Sequence, residues 1–167
     1  QSQLNASTGE FNTSLGSLSM GSGVTTGDSN VALGYKAAQA LTSGGSNIII
    51  GELAGANAAA TSNNIAIGYK SLFTENNHGK NTAVGHQSLQ TLRAGADGYN
   101  VAVGFEAGLT MTTGLYNVLL GAAAGDAITT AEKNIAIGYG ALGSEDTHGK
   151  NVAIGDSALT TLNAGAY

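Results

Sequence analysis

Few side chains in this sequence suggest metal or catalytic chemistry, and two histidines are the first candidates. His78 and His148 occupy equivalent places in two similar segments, residues 74–81 and 144–151. Imidazole is a common metal ligand, so three chains side by side could gather either histidine into a ring of three ligands. We favour the simpler interpretation, a solvated loop histidine before a glycine turn, and predict no metal site and no cofactor.

Aromatic residues at one recurring position are candidates for contacts with a ligand. Each directly follows a glycine that closes a repeated motif, and an exposed ring there could stack on a sugar or on a partner's side chain. The same rings could instead cover a corner of the fold or a seam between subunits, and the pattern favours that interpretation. The four residues are Tyr35, Tyr69, Phe105 and Tyr139.

Three other rings carry weaker predictions. His86 also follows a repeat glycine but has no equivalent elsewhere, which indicates a packing or surface residue. Tyr99 and Tyr116 each precede a repeat Asn, and we interpret them as loop anchors.

Carboxylates are too sparse to form an evident catalytic pair. The Asp residues share no common position in the repeat, which argues against a calcium-binding roll. The Gly-Lys pairs ending at Lys80 and Lys150 lack the glycine spacing of a phosphate-binding loop. We predict that the chain is not an enzyme. A pair assembled across subunits is the alternative, drawn from Glu52, Glu75, Glu106, Glu132 and Glu145.

The overall composition excludes several classes of protein. With 26 Gly, no Pro and 10% charged residues, the chain is too apolar for a disordered linker, and it lacks the Pro of collagen. A net charge of -5 with six scattered Lys and Arg argues against a nucleic-acid partner. There is no Cys for a disulfide or a thiolate metal site. Without an apolar run of about 18 residues, direct membrane insertion is not expected.

A five-residue motif repeated along the whole chain determines the predicted architecture. In the copy from Asn64 to Gly68, an Asn is followed by two aliphatic residues flanking a small one, and then by Gly. The copies follow one another at a nearly constant interval. This period predicts an all-β parallel solenoid of about nine 17-residue coils, each adding about 4.8 Å along the axis. The copies begin at Asn12, Asn30, Asn47, Asn64, Asn81, Asn100, Asn117, Asn134 and Asn151. The glycines predicted to turn the chain are Gly34, Gly51, Gly68, Gly85, Gly104, Gly121, Gly138 and Gly155.

The alternation inside the motif predicts which way each side chain faces. The large residues are expected to fill the coil, with the small residue against a neighbouring chain. Ile65 and Ile67 would then point inward, and Ala66→Glu would damage assembly more than coil formation. A second strand is predicted around the Ala or Ser seven positions after each Asn. Helix is the alternative for the Ala-rich segments, but frequent Gly disfavours it.

A longer period is superimposed on the first. The four coils that begin at Asn30 return as the four that begin at Asn100, and residues 91–96 return as residues 161–166, where the chain stops. We therefore expect a single repeat domain, residues 1–167, that is a piece of a longer fibre. A coil this short encloses little core, and packing of identical chains side by side would add the missing burial.

The motif also resembles a known family. The segment from Asn151 to Ala158 is similar to the YadA-like head repeat of trimeric autotransporter adhesins, and forms close to Asn81 to Leu89 occur in phage tail fibres. The resemblance extends from Asn12 onward. It implies a left-handed parallel β-roll, a side-by-side homotrimer, and an extracellular location on a bacterial cell or virion surface.

The leading functional hypothesis is a structural and adhesive fibre segment that contacts a host surface protein or glycan. A phage tail-fibre shaft or receptor-binding segment is the alternative, and a polysaccharide-cleaving tailspike is disfavoured by the sparse carboxylates. An ice-binding solenoid would need Thr at one fixed coil position, whereas Thr61, Thr91 and Thr113 lie at different offsets from their Asn.

Overall fold

The computed structural model describes residues 8–21, 24–144 and 148–160. These residues form nine short strands that pair in parallel and in chain order, so that eight successive pairings wind about eight solenoid turns. The described segments contain no helix. The predicted all-β solenoid is therefore confirmed. The strands are β1 (Thr13–Leu15), β2 (Val31–Leu33), β3 (Ile48–Ile50), β4 (Ile65–Ile67), β5 (Thr82–Val84), β6 (Val101–Val103), β7 (Val118–Leu120), β8 (Ile135–Ile137) and β9 (Val152–Ile154).

Equivalent positions of successive motifs lie beside one another along the solenoid axis. Ile49 of β3 pairs with Ala66 of β4, which in turn pairs with Ala83 of β5. Neighbouring parallel strands are about 4.8 Å apart, so every motif position becomes a column of side chains with that spacing. Two parts of the predicted longer repeat, Glu145 and the returning segment 161–166, lie outside the described residues.

The interior of the solenoid is lined by the middle residue of each strand, and the predicted faces are wrong. Ala66 is fully buried, whereas Ile65 and Ile67 on either side of it keep part of their surface exposed. The reason is that the interior of the coil is narrow, and the strand centre shares it with larger side chains from the following turns, such as Leu72. The substitution Ala66→Glu is now expected to disrupt the coil itself.

Large and small residues exchange places within this narrow core. In the coil of β4, Ala66 on the strand is accompanied by buried Leu72 on the turns. In the coil of β3, Ile49 takes the strand position and Gly55 takes the turn position, where a Cβ would lie 3.0 Å from Ile49 Cδ1. The coil of β7 repeats this exchange with Leu119 and Gly125. Each pair keeps the filled volume nearly constant, as close packing requires.

The segment after each strand consists of turns, so the predicted second strand is wrong. Lys36 and Ala38 have left-handed backbones, with φ of 57° and 50°, and alternate with Ala37. The Lys36 and Ala38 N–H groups donate to carbonyls of the preceding and following coils, at 2.9 and 3.0 Å, while the Ala37 N–H donates locally to Gly34. A left-handed residue other than Gly costs roughly 1–2 kcal/mol. The bonds between coils offset that cost.

Glycine is required at the end of each strand for two reasons. The glycines after all nine strands have φ between 127° and 148°, a region that side chains with a Cβ rarely adopt. In addition, a Cβ on Gly34 would lie 2.7 Å from the carbonyl oxygen of Gly51, and one on Gly51 would lie 2.6 Å from that of Gly68. The backbones of successive coils thus approach closely at this corner.

The repeat Asn residues form a buried amide ladder. From Asn30 to Asn151, each Asn N–H donates to the side-chain Oδ1 of the Asn one coil earlier, at 2.9 to 3.2 Å. At most steps the side-chain Nδ2 donates to the same oxygen. These bonds satisfy polar groups inside the fold, and they align each coil with the next.

Candidate functional site

The outer face of the strands carries two columns of mainly aliphatic side chains that one chain leaves partly uncovered. Val103 is 39% exposed and Ile135 is 37% exposed, although β-branched residues of this size are usually buried. A continuous apolar surface of this kind is typical of an interaction site. The first column contains Thr13, Val31, Ile48, Ile65, Thr82, Val101, Val118, Ile135 and Val152. The second contains Leu15, Leu33, Ile50, Ile67, Val84, Val103, Leu120, Ile137 and Ile154.

An aromatic column lies next to this face, at the position directly after each repeat glycine. His86 is sandwiched between Tyr69 and Phe105, with ring centroids 5.0 Å apart on both sides. The sequence indicated that His86 has no equivalent in the other coils. In the solenoid it is the middle ring of a stack, because consecutive coils bring equivalent positions into contact.

The four predicted aromatic contact residues are only partly brought together. Tyr69 and Phe105 share the stack through His86, whereas Tyr35 and Tyr139 stand in the same column but are in none of the observed ring stacks of the described segments. The Lys36 ammonium lies 5.3 Å from the Tyr35 ring centroid, and the Lys70 ammonium lies 5.2 Å from that of Tyr69. These cations cover rings in the first half of the column.

A second column of rings and cations runs through the residues that precede each repeat Asn. Tyr99 and Tyr116 stack with their centroids 5.4 Å apart, which fits the predicted role of loop anchors. The Lys80 ammonium lies 5.0 Å from the Tyr99 ring, and that of Lys133 lies 5.8 Å from the Tyr116 ring. The two tyrosines are thus held between two cations, each contact being worth about 0.5–1 kcal/mol at an exposed site.

Lys80 also forms an ion pair that the sequence pattern did not indicate. Its Nζ lies 2.8 Å from Asp97 Oδ2 and 2.8 Å from the Tyr99 hydroxyl. The hydrogen bond from Lys80 lowers the pKa of Asp97, and the same bond raises the pKa of Lys80. Asp97 closely precedes Tyr99 in a coil that is longer than its neighbours, and the added length places the carboxylate beside the lysine of the coil before.

The two histidines considered as metal ligands do not meet within one chain. They lie four coils apart, roughly 19 Å along the axis. His78 is partly buried and its backbone N–H donates to Glu75 Oε1 at 3.3 Å, while the His148 carbonyl accepts from Asn151 Nδ2 at 3.3 Å. No group of three His, Cys, Asp or Glu side chains suited to a metal occurs within residues 8–21, 24–144 and 148–160.

Glu75 has a structural function that sequence reasoning missed. It is fully buried. Its Oε1 accepts hydrogen bonds from the N–H groups of Asn76, Asn77 and His78, and its Oε2 accepts one from Ala94 at 3.0 Å. The carboxylate therefore holds the loop and leaves no free oxygen directed at solvent. The recurrence of a Glu shortly before each loop histidine was the available signal, and its equivalent, Glu145, lies outside the described segments.

Among the described residues there is no helix of the length and apolarity needed to span a membrane. Comparisons with protein-family models, with curated proteins and with solved structures found no match.

Proposed function

We propose that this chain is a structural and adhesive segment of an extracellular fibre, in which three copies pack side by side. The partly exposed aliphatic columns of the strand face carry the proposal. Their occupant would be the same face of other copies of this chain. Copies in parallel present columns with an identical spacing, and three such faces around one axis form a closed assembly that leaves none of them in water. The resemblance to YadA-like heads supports this number of chains and a left-handed roll.

The proposed adhesive role is based on the different side chains of the strand face and of the turns and loops. The strand face is aliphatic, whereas the turns and loops present polar and aromatic side chains, including Tyr35, Tyr139 and Thr130. A fibre built in this way buries the strand faces and displays the columns of rings and loops. The proposed partner is a host surface protein or glycan, and the proposed location is a bacterial cell surface.

A phage tail fibre is the second candidate, because the same roll would serve a virion in the same way. The segments that flank this chain in its full-length protein distinguish the two. A coiled-coil stalk with a membrane anchor would indicate an adhesin, and a virion-attachment domain would indicate a tail fibre. A glycan-cleaving tailspike is less well supported, since Glu75 is fully occupied by backbone donors.

Light scattering combined with size-exclusion chromatography tests the assembly. We expect the native chain to have three times the mass of one chain, and Ile135→Asp to have the mass of one, because a charge on the packed face cannot be solvated there. Thr130→Asp, at an exposed turn residue of the preceding coil, is the matched control and should keep the native mass. A native chain of single mass at all concentrations would refute the proposal.

A further inference from the structure

At one position of the aromatic column, a residue with only a small side chain lies between two exposed rings. Phe105, Ala122 and Tyr139 occupy the same position in three successive coils, since the Ala123 N–H donates to the Phe105 carbonyl and the Gly140 N–H to the Ala122 carbonyl. Phe105 is 51% exposed and Tyr139 is 64% exposed. Ala122 between them supplies only a methyl group, so the two rings flank an open slot with a small floor.

The preceding coils show what such a slot can hold. Tyr69 and Phe105 are also two coils apart, and the His86 ring between them is 5.0 Å from each. The backbone positions of Phe105 and Tyr139 are also two coils apart, roughly two strand spacings or 9.6 Å. The slot therefore has room for one ring that the chain itself does not provide.

The equivalent place in the first half of the chain carries different side chains. There, one block of four coils earlier, Glu52 stands where Ala122 stands, and the Lys36 and Lys70 ammonium groups cover the rings of Tyr35 and Tyr69. In the second half, those two lysines are replaced by Glu106 and Gly140. The two halves thus differ at three positions, and two of the differences remove an ammonium group that covers a ring in the first half.

We propose that the slot between Phe105 and Tyr139 binds one neutral pyranose ring of a glycan. Both walls offer flat apolar faces of the kind on which the C–H groups of a sugar stack. The charges nearby complement hydroxyl donors: Glu106 follows Phe105, and Asp156 stands one coil beyond Tyr139. The residues directly before and after Phe105, Ala122 and Tyr139 include no lysine or arginine, which disfavours anionic sugars.

This inference rests on the proposed adhesive function, because it names the class of ligand for that surface. Saturation-transfer NMR with the methyl glycosides of glucose, galactose and mannose provides the probe. The native chain should bind at least one of them, and Ala122→His, which fills the slot as His86 fills the neighbouring one, should weaken binding by at least about tenfold. Tyr139→Ala should have the same effect because it removes one wall.

One matched variant controls for general changes of the surface. Glu52→His places the same ring at the equivalent position of the first half and should bind as the native chain does. The proposal is overturned by a native chain that binds none of the glycosides, or by Ala122→His binding unchanged.

Mass and unfolding temperature of the same samples separate the two proposals. A three-chain mass without glycoside binding would overturn the slot alone, whereas a single-chain mass would overturn the proposed assembly. Binding of para-cresol that Ala122→His abolishes, without binding of any glycoside, would show that the slot takes an aromatic side chain of a protein partner. That result too would overturn the sugar proposal.

Discussion

At the scale of single residues, the solenoid depends on positions where only one side chain satisfies the backbone. The repeat Asn supplies an acceptor for the next coil, and the repeat Gly permits both a positive φ and close approach of the following coil. Both could be predicted from the sequence, because each depends on local chemistry that recurs with every motif. The contacts of His86 and Lys80 could not, since they depend on which side chains successive coils bring together.

Gly51→Ala tests the requirement for glycine. A methyl group there would meet the Gly68 carbonyl oxygen at 2.6 Å in a backbone with φ of 131°. We expect the free energy of unfolding to fall by roughly 1–3 kcal/mol, measured by urea denaturation. Gly95→Ala is the control, because an added Cβ at this exposed position would have no neighbour within 4 Å. Equal losses for the two variants would contradict the structural account.

Lys80→Met tests the ion pair through the titration of Asp97. Because Lys80 lowers the pKa of Asp97, the pair contributes stability above the ordinary carboxyl pKa and loses it as pH falls through the lowered value. The raised pKa of Lys80 means that the contribution is also lost in strongly alkaline solution. Removing the ammonium should return the Asp97 pKa toward its ordinary range in a carboxyl NMR titration. Lys133→Met should leave the Asp97 pKa unchanged. An Asp97 pKa that changes in Lys133→Met and not in Lys80→Met would refute the pairing.

At the scale of the coil, alternation correctly placed the strands but could not tell which face is inside. Aliphatic side chains flank most strand centres, and the alternation predicts that they fill the core of a solitary coil. The compensating pairs resolve this: a large residue occupies the strand centre at Ile49 and Leu119, and Gly then occupies the turn position at Gly55 and Gly125. That signal is present in the sequence, although it emerges only when a strand position and a turn position are compared across coils.

A double substitution in the coil of β4 tests this exchange. Ala66→Ile alone should overpack the core and cost about 1–3 kcal/mol, and Leu72→Gly alone should leave a cavity and cost about 2–5 kcal/mol. Together they reproduce the pairing of Ile49 with Gly55. We expect the double substitution to lower the free energy of unfolding by less than the sum of the two single substitutions, as measured by denaturation. Simple additivity would show that the two positions do not share one core volume.

At the scale of the whole molecule, the solenoid is a stack in which each coil contacts mainly its neighbours, so that any lateral contact would be made with another chain. A thin core built largely of Ala buries little apolar surface, while the strand face leaves Val and Ile in water. Association of these faces would therefore provide much of the stability of a fibre. The number of chains does not follow from the repeat, because alternation describes one chain and not its packing.

Distances between spin labels on different chains test most directly whether the chains assemble through the strand face. The chain has no Cys, so Val103→Cys introduces a unique labelling site on the strand face, and Thr113→Cys introduces one on an exposed turn of the same coil. Pulsed electron paramagnetic resonance should give short, equal distances between labels at position 103, and longer ones at position 113. No dipolar coupling at position 103, or shorter distances at position 113, would contradict assembly through the strand face.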